Sequence, residues 1–358
     1  MDFHPTEEQA AAAGLAARIF GDLATHERLA AAGTGSDAEL WKALTAAGLP
    51  AAVEDIGLLG LVLLLEEQGR STAQAPFAAT CAYGVLPVAA HGTAEQRARL
   101  LPALGTGEAV ATGAFPNRGR ITADRGPLAA TADTGHRTAQ GGVRLTGTAP
   151  AVPWLREATH VLVPDADGGL WIVRTDAPGV RTAPVETTAP WSAGRLTLTA
   201  AEAEPLGAAG AYEAVLATAR TAFAGLQAGV CAGSLARAVE YTGVREQFGR
   251  PLSTNQGVML RAADAYMDTE AIRVTAYEAA WRVDEGLPAR EHALTAAWWA
   301  SEAGKRVVHA GQHLHGGMGA DLEHPVHRHF LWGRQLDAYL GCGSELLAEL
   351  GDALAQEG

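Results

Sequence analysis

Six histidines gather within 21 residues near the C-terminal end: His309, His313, His315, His324, His327 and His329. On a helix, His309 and His313 fall four residues apart on one face, a spacing able to chelate a metal ion. No H-E-x-x-H and no acidic third ligand accompany them, and Gly316-Gly317 interrupts the run, so no metal site is expected. Three cysteines, Cys81, Cys231 and Cys342, are odd in number and far apart, which supports neither a disulfide framework nor a CxxC redox site. A G-x-S-x-G nucleophile elbow, a Ser-His-Asp order, a Walker sequence and a G-x-G-x-x-G dinucleotide fingerprint are all absent. Taken alone, Arg245 reads as a surface cation beside Glu246, and Trp281, Trp298 and Trp299 read as packing aromatics.

The elements that must position these residues fall into three blocks. Residues 1–113 are Ala- and Leu-rich with helix punctuation: Ser36-x-x-Glu39 reads as a capping box before Leu40, Trp41 and Leu44, with Gly48 and Pro50 as a stop. Thr93-x-x-Gln96 opens another helix that should end at Pro102, and Leu61 to Glu67 looks like the centre of a buried one. Over 114–207, turn residues punctuate short β-type runs such as Val143 to Thr146, Val161 to Val163, Trp171 to Val173 and Leu196 to Thr199. Over 208–358, long helical segments return: Ala214 to Tyr241, Gln256 to Glu285 and Arg290 to His313, lengths that suit a bundle. The expected fold is therefore α+β and mostly α: an N-terminal helical domain, a small middle β domain and a C-terminal helical bundle.

Composition excludes several classes of function. The 358 residues carry 27 Lys and Arg against 40 Asp and Glu, a formal charge of −13, with no basic run, so nucleic acid is not an expected partner. A 48% hydrophobic content is ample for a large core and rules out disorder. The longest apolar run, Ile56 to Leu65, is too short to span a membrane, and no basic n-region precedes an apolar stretch at the start. The expected location is the cytoplasm.

Two stretches carry a likeness to a known family. The run Tyr241-Thr-Gly-Val-Arg245-Glu-Gln247-Phe248-Gly249-Arg250-Pro251-Leu252 with Gln256, and later Leu314-His-Gly316-Gly317-Met-Gly319 with Glu323-His324-Pro325, resemble the acyl-CoA dehydrogenase family. Weaker likenesses, at Asp37 to Gly48 and Glu66 to Arg70, extend the resemblance over nearly the whole chain. It implies FAD as cofactor, a C-terminal four-helix bundle, and assembly as homo- or hetero-oligomeric dimers or tetramers. It also implies a reaction in which a carboxylate removes the α-proton of an acyl-CoA thioester while the flavin accepts the β-hydride, with electrons passed to an acceptor of the electron-transfer flavoprotein type. Carried over by position, Arg245 meets the FAD pyrophosphate, and Gln247, Phe248 and Gln256 are neighbouring contacts. His313 takes the place of a cofactor-contacting Gln, and Gly316-Gly317 let backbone approach the adenosine side. An arginine fork suits a pyrophosphate, and glycine suits close approach.

The departures from the family are on the other half of the site. Its base, the Glu of Y-E-G-T, falls on Leu340 within Tyr339-Leu340-Gly341-Cys342, and Leu cannot accept a proton. The alternative base position, just before a matching arginine, falls on Ala219 before Arg220, which leaves Arg220 as a substrate-side residue. Asp337 and Glu345 lie nearby; Asp337 is the weak substitute, and both read as exposed helix-surface carboxylates. The flavin-binding T-E-P-x-x-G-S-D falls on Ala114-Phe115-Pro116-Asn117-Arg118-Gly119-Arg120, and W-I-T falls on Ala151-Val152-Pro153. The resemblance thus implies a subunit of an FAD-dependent acyl-CoA dehydrogenase that lacks its own base and completes a partner chain's flavin site. A flavin-dependent monooxygenase or oxidase, and a non-redox acyl-CoA-binding scaffold, are the alternatives.

Overall fold

The computed structural model describes residues 3–116, 119–125, 128–130, 137–139 and 142–357. Its N-terminal helices are α1 (Glu7–Leu23), α2 (His26–Ala32), α3 (Ala38–Ala46), α4 (Leu49–Ser71), α5 (Phe77–Thr80), α6 (Leu86–His91) and α7 (Ala94–Thr106), with a π-helical turn at Cys81–Val85 joining α5 to α6. Thr93 and Gln96 cap α7 reciprocally, as their spacing predicts. The cap of α3 is displaced by one residue: the Asp37 carboxylate accepts from the Glu39 and Leu40 amides, while Ser36 donates to Glu157 instead. Two proline readings are also corrected. Pro50 opens α4 rather than ending α3, because its missing N–H costs nothing in a first turn. Pro102 lies inside α7, which runs on to Gly107 in a left-handed C-cap.

Helix α4 contains the run Ile56 to Leu65 and is buried along most of its length. Gly57 breaks its backbone at φ +70°, and Asp284 then accepts from the Leu58 and Leu59 amides at 2.7 and 2.9 Å, capping the second half of the helix from outside.

The middle region supplies β1 (Ala111–Gly113), β2 (Ile121–Asp124), β3 (Leu128–Ala130), β4 (Arg137–Ala139), β5 (Val143–Val152), β6 (His160–Pro164), β7 (Leu170–Arg174), β8 (Val180–Pro184) and β9 (Gly194–Pro205). The main sheet has the order β1-β6-β7-β9-β5-β2 with β8 also on β9; β1 pairs parallel to β6 and the other pairs are antiparallel. Strands β3 and β4 form a separate pair. Alternation on β5 and β9 buries Leu145, Val152, Leu196 and Leu198 in a core of the sheet's own.

The C-terminal region is α8 (Ala211–Val244), a hairpin of β10 (Glu246–Gln247) and β11 (Arg250–Pro251), then α9 (Gln256–Asp284), α10 (Arg290–Leu314), α11 (Pro325–Tyr339) and α12 (Gly343–Glu357). Helix α8 is long and apolar enough to cross a membrane by length and composition, and it is mostly buried as the central helix of the bundle. Glycines set its distance from α4. A Cβ built on Gly225 would meet Val62, one on Gly229 the Glu66 carbonyl, and one on Gly233 the Arg70 carbonyl; the i, i+4, i+8 spacing puts all three on one face.

Candidate active site

The residues matched to the family's cofactor contacts gather at one end of the bundle. Arg245 is the C-cap of α8, and its carbonyl accepts from the Leu252 amide at 2.8 Å, closing the hairpin that carries Gln247. Phe248 and Gly249 form the hairpin tip, with φ +55° and +74°, the double positive φ of a primed two-residue turn. Asn255 then caps α9 by accepting from Gly257, which places Gln256 at the first helical position. Across from this, Tyr241 stacks on His315 with centroids 4.9 Å apart and planes 20° from parallel. That contact ties the last turns of α8 to the 3-10 turn Gly316–Ala320, which follows α10. Arg245, Gln247, Phe248, Gln256, His313, Gly316 and Gly317 are all exposed. Arg245 has no ion pair among the described residues, and nothing stands within 4 Å of a Cβ built on Gly316 or Gly317.

The base position lies at the far end of α8. Arg220 and Arg245 are separated by 25 positions on this helix, roughly 37 Å at 1.5 Å per residue. Leu340, the C-cap of α11, is buried. Its carbonyl is 3.4 Å from Arg220 Nε, and the two terminal nitrogens of Arg220 bind Glu349 of α12 in a fork at 2.8 and 2.7 Å. The pairing holds the Glu349 carboxyl below the usual range. Arg220 is therefore committed to an internal ion pair, and the space between it, Leu340 and Phe223 is only about 20 Å³.

Asp337 is not an exposed surface carboxylate. It is buried, accepts from Ser301 Oγ at 2.8 Å and pairs with Arg334 at 3.1 Å, because the packing of α11 on α10 encloses its side of the helix. Glu345 is exposed and accepts from the Cys342 amide. Neither presents a free carboxylate beside Leu340.

Between the sheet and α11 lies a cavity of about 220 Å³ bounded by Ala114, Phe115, Ala151, Gln335 and Tyr339. Asn117 and Arg118 of the departed flavin motif lie outside the described residues. Behind this cavity aromatic rings fill the interior. Phe115 stacks on Tyr83 and Tyr212 at 5.1 and 5.8 Å, Phe223 meets Tyr339 edge-on at 4.9 Å, and Trp191 stacks on Trp154 at 4.9 Å. The Tyr83 and Tyr339 hydroxyls share a hydrogen bond of 2.9 Å, and burial pushes both phenols up. Pro153, where a hydroxyl is missing, has its carbonyl taken by Thr112 Oγ1. Sequence reasoning named Phe115 and Tyr339 at motif positions but missed Glu349 and the packing of these rings, since each contact joins residues far apart in the chain.

The histidines make no metal cluster among the described residues. His309 packs edge-on against Phe330, His324 caps α11, and buried His329 sets its Nε2 2.9 Å from the Arg70 carbonyl, the shorter of its two carbonyl contacts and the one its single N–H serves when neutral.

Comparison with known proteins follows this division of the molecule. Residues 6–108 match the acyl-CoA dehydrogenase N-terminal domain and residues 207–353 the acyl-CoA dehydrogenase C-terminal domain. Acyl-CoA dehydrogenase FadE27 of Mycobacterium tuberculosis is 34% identical, over 99% of each chain. Among solved structures, a variant of the Tcur3481-Tcur3483 steroid ACAD is 42% identical with a TM-score of 0.89, covering 98% of both chains. The ChsE4-ChsE5 complex of Mycobacterium tuberculosis is 32% identical with a TM-score of 0.89, covering 99% of both. With two matched domains in the expected order and a relative aligned end to end, the chain belongs to the acyl-CoA dehydrogenase family.

Proposed function

We propose that this chain is the completing subunit of a heteromeric, FAD-dependent acyl-CoA dehydrogenase. It presents Arg245, Gln247, Phe248, Gln256, His313, Gly316 and Gly317 to a flavin held by a homologous chain, and it supplies no base. The observation that carries this reading is the separation of the two ends of α8. Arg245 lies roughly 37 Å along the helix from Arg220, whose Nε is 3.4 Å from the Leu340 carbonyl, so the two half-sites of one chain do not close on each other. The exposed end fits the cofactor of this family: a guanidinium with no ion-pair partner among the described residues, an aromatic ring in solvent and open glycine backbone. The opposite end does not fit, because rings and an internal ion pair occupy it.

When bound, FAD supplies the hydride acceptor for desaturation of the acyl thioester. In this reading Arg245 neutralises and orients the pyrophosphate, Phe248 covers cofactor surface and excludes water, and the Gly316-Gly317 backbone approaches closely. The proton-abstracting carboxylate belongs to the partner. The 42% identical steroid ACAD favours a steroid-derived acyl-CoA as the substrate of the complex. An electron-transfer flavoprotein is the acceptor that the family's reaction calls for.

The test is the flavin content and mass of the chain purified alone and after co-expression with a Glu-bearing homologue. Little flavin alone and about one FAD per heterologous pair is expected. Stoichiometric FAD in an active homo-oligomer overturns the reading.

A further inference from the structure

A cavity of about 570 Å³ lies between the loop joining β8 to β9, the turn after α2 and the first turns of α11. Two arginines line it, Arg156 and Arg328, and neither forms an ion pair among the described residues. Arg328 is half-buried: one terminal nitrogen donates to Gln74 Oε1, while its Nε is buried without a partner among the described residues. Burial alone pushes its guanidinium down to about 10, with no carboxylate acting on it. Arg156 donates to the carbonyl and hydroxyl of Thr34 on the opposite wall. Glu186 also lines the cavity but is exposed and pairs with neither arginine.

A guanidinium withdrawn from water without a counter-charge is costly, and folded proteins ordinarily pair it. Here the cost is built into the frame. The Gln74 amide that holds Arg328 also donates to the carbonyls of Gly33, Gly35 and Pro190, so three segments of chain fix the cation at the wall. Arginine's planar fork matches phosphate and carboxylate oxygens. We infer that this cavity binds an oxyanion, a phosphate or carboxylate carried on a small molecule, held between Arg328 and Arg156. The volume exceeds what a lone inorganic phosphate fills and lies within the roughly 300–1,000 Å³ of small-molecule sites, so the oxyanion is one end of a larger ligand.

Calorimetric titration of the purified full chain at low salt with pyrophosphate, citrate and coenzyme A tests this, alongside R328Q and R156Q. At least one probe should bind, with affinity falling about tenfold or more in either variant and on raising the salt. Preference for coenzyme A over pyrophosphate identifies a nucleotide phosphate as the source, and preference for citrate identifies a carboxylate. The exposed Arg156 keeps the test decisive even where R328Q does not fold. Absence of binding by all three probes, or binding that both variants leave unchanged, overturns the inference. Because no flavin is involved, either result is independent of the subunit reading.

Discussion

Phe248 holds a left-handed backbone conformation, which costs a non-glycine residue roughly 1 kcal/mol, and it does so with its ring fully in solvent. Neither feature stabilises this chain, and both accord with the proposed contact to a flavin held by a partner. Arg245→Ala should accordingly leave the melting temperature of the isolated chain within about a degree, since the side chain is exposed and has no ion pair among the described residues. In the assembled enzyme it should weaken FAD retention by about 10- to 100-fold, the loss of a charge-assisted contact worth roughly 1.5–3 kcal/mol, read by flavin release on dilution. Leu340→Glu makes the opposite point. Restoring the acid alone should give no acyl-CoA-dependent dye reduction by the isolated chain, because the adjoining space is about 20 Å³ and Arg220 is already bound to Glu349. Turnover by that variant would mean that the rings move aside. Sequence reasoning could single out Arg245, Phe248 and Leu340 because each sits in a contiguous motif. It misjudged Asp337 because Ser301, the group that encloses it, comes from another helix 36 positions away.

At the scale of elements, the approach of α4 to α8 is set by glycines at both sides of the contact. Gly229→Ala drives a methyl into the Glu66 carbonyl, where backbone rather than a flexible side chain must yield. A loss of about 1–3 kcal/mol is expected, measurable as a lower urea midpoint with unchanged secondary structure. Gly243→Ala, whose added Cβ meets nothing within 4 Å, is the control. Helix existence and the α, β, α order were legible in composition and periodicity. Boundaries were less so, for local reasons. Ser36 and Asp37 are adjacent capping residues, and the choice between them was made by Glu157, which draws the Ser36 side chain away. Proline is equally ambiguous: Pro50 serves as a start, and Pro102 is carried inside α7.

At the scale of the molecule, His329 links two helical bodies. Its Nε2 lies 2.9 Å from the Arg70 carbonyl at the end of α4, and burial pushes its pKa down to about 4. An unfolded histidine titrates near 6.5, so between those values the unfolded chain binds more protons and stability rises with pH. The contribution, on the order of 3 kcal/mol, is complete above about pH 6.5 and lost as pH falls toward 4. Half-buried His91 and His160 are shifted in the same direction and add to the slope. Urea midpoints between pH 4.5 and 7.5 should therefore climb with pH, and His329→Gln should flatten the climb; an unchanged slope would remove His329 as its source.

The unbroken length of α8 has a further consequence, for descent rather than for mechanism. A continuous helix keeps its two ends at a fixed distance and shares no side chain between them, so substitutions accumulating around Leu340 leave the geometry at Arg245 untouched. After a gene duplication, one copy is then free to turn half of its site into hydrophobic interior while the other half stays under purifying selection. Two copies that decay at opposite ends would each become indispensable to the other, and neither change would require a new fold.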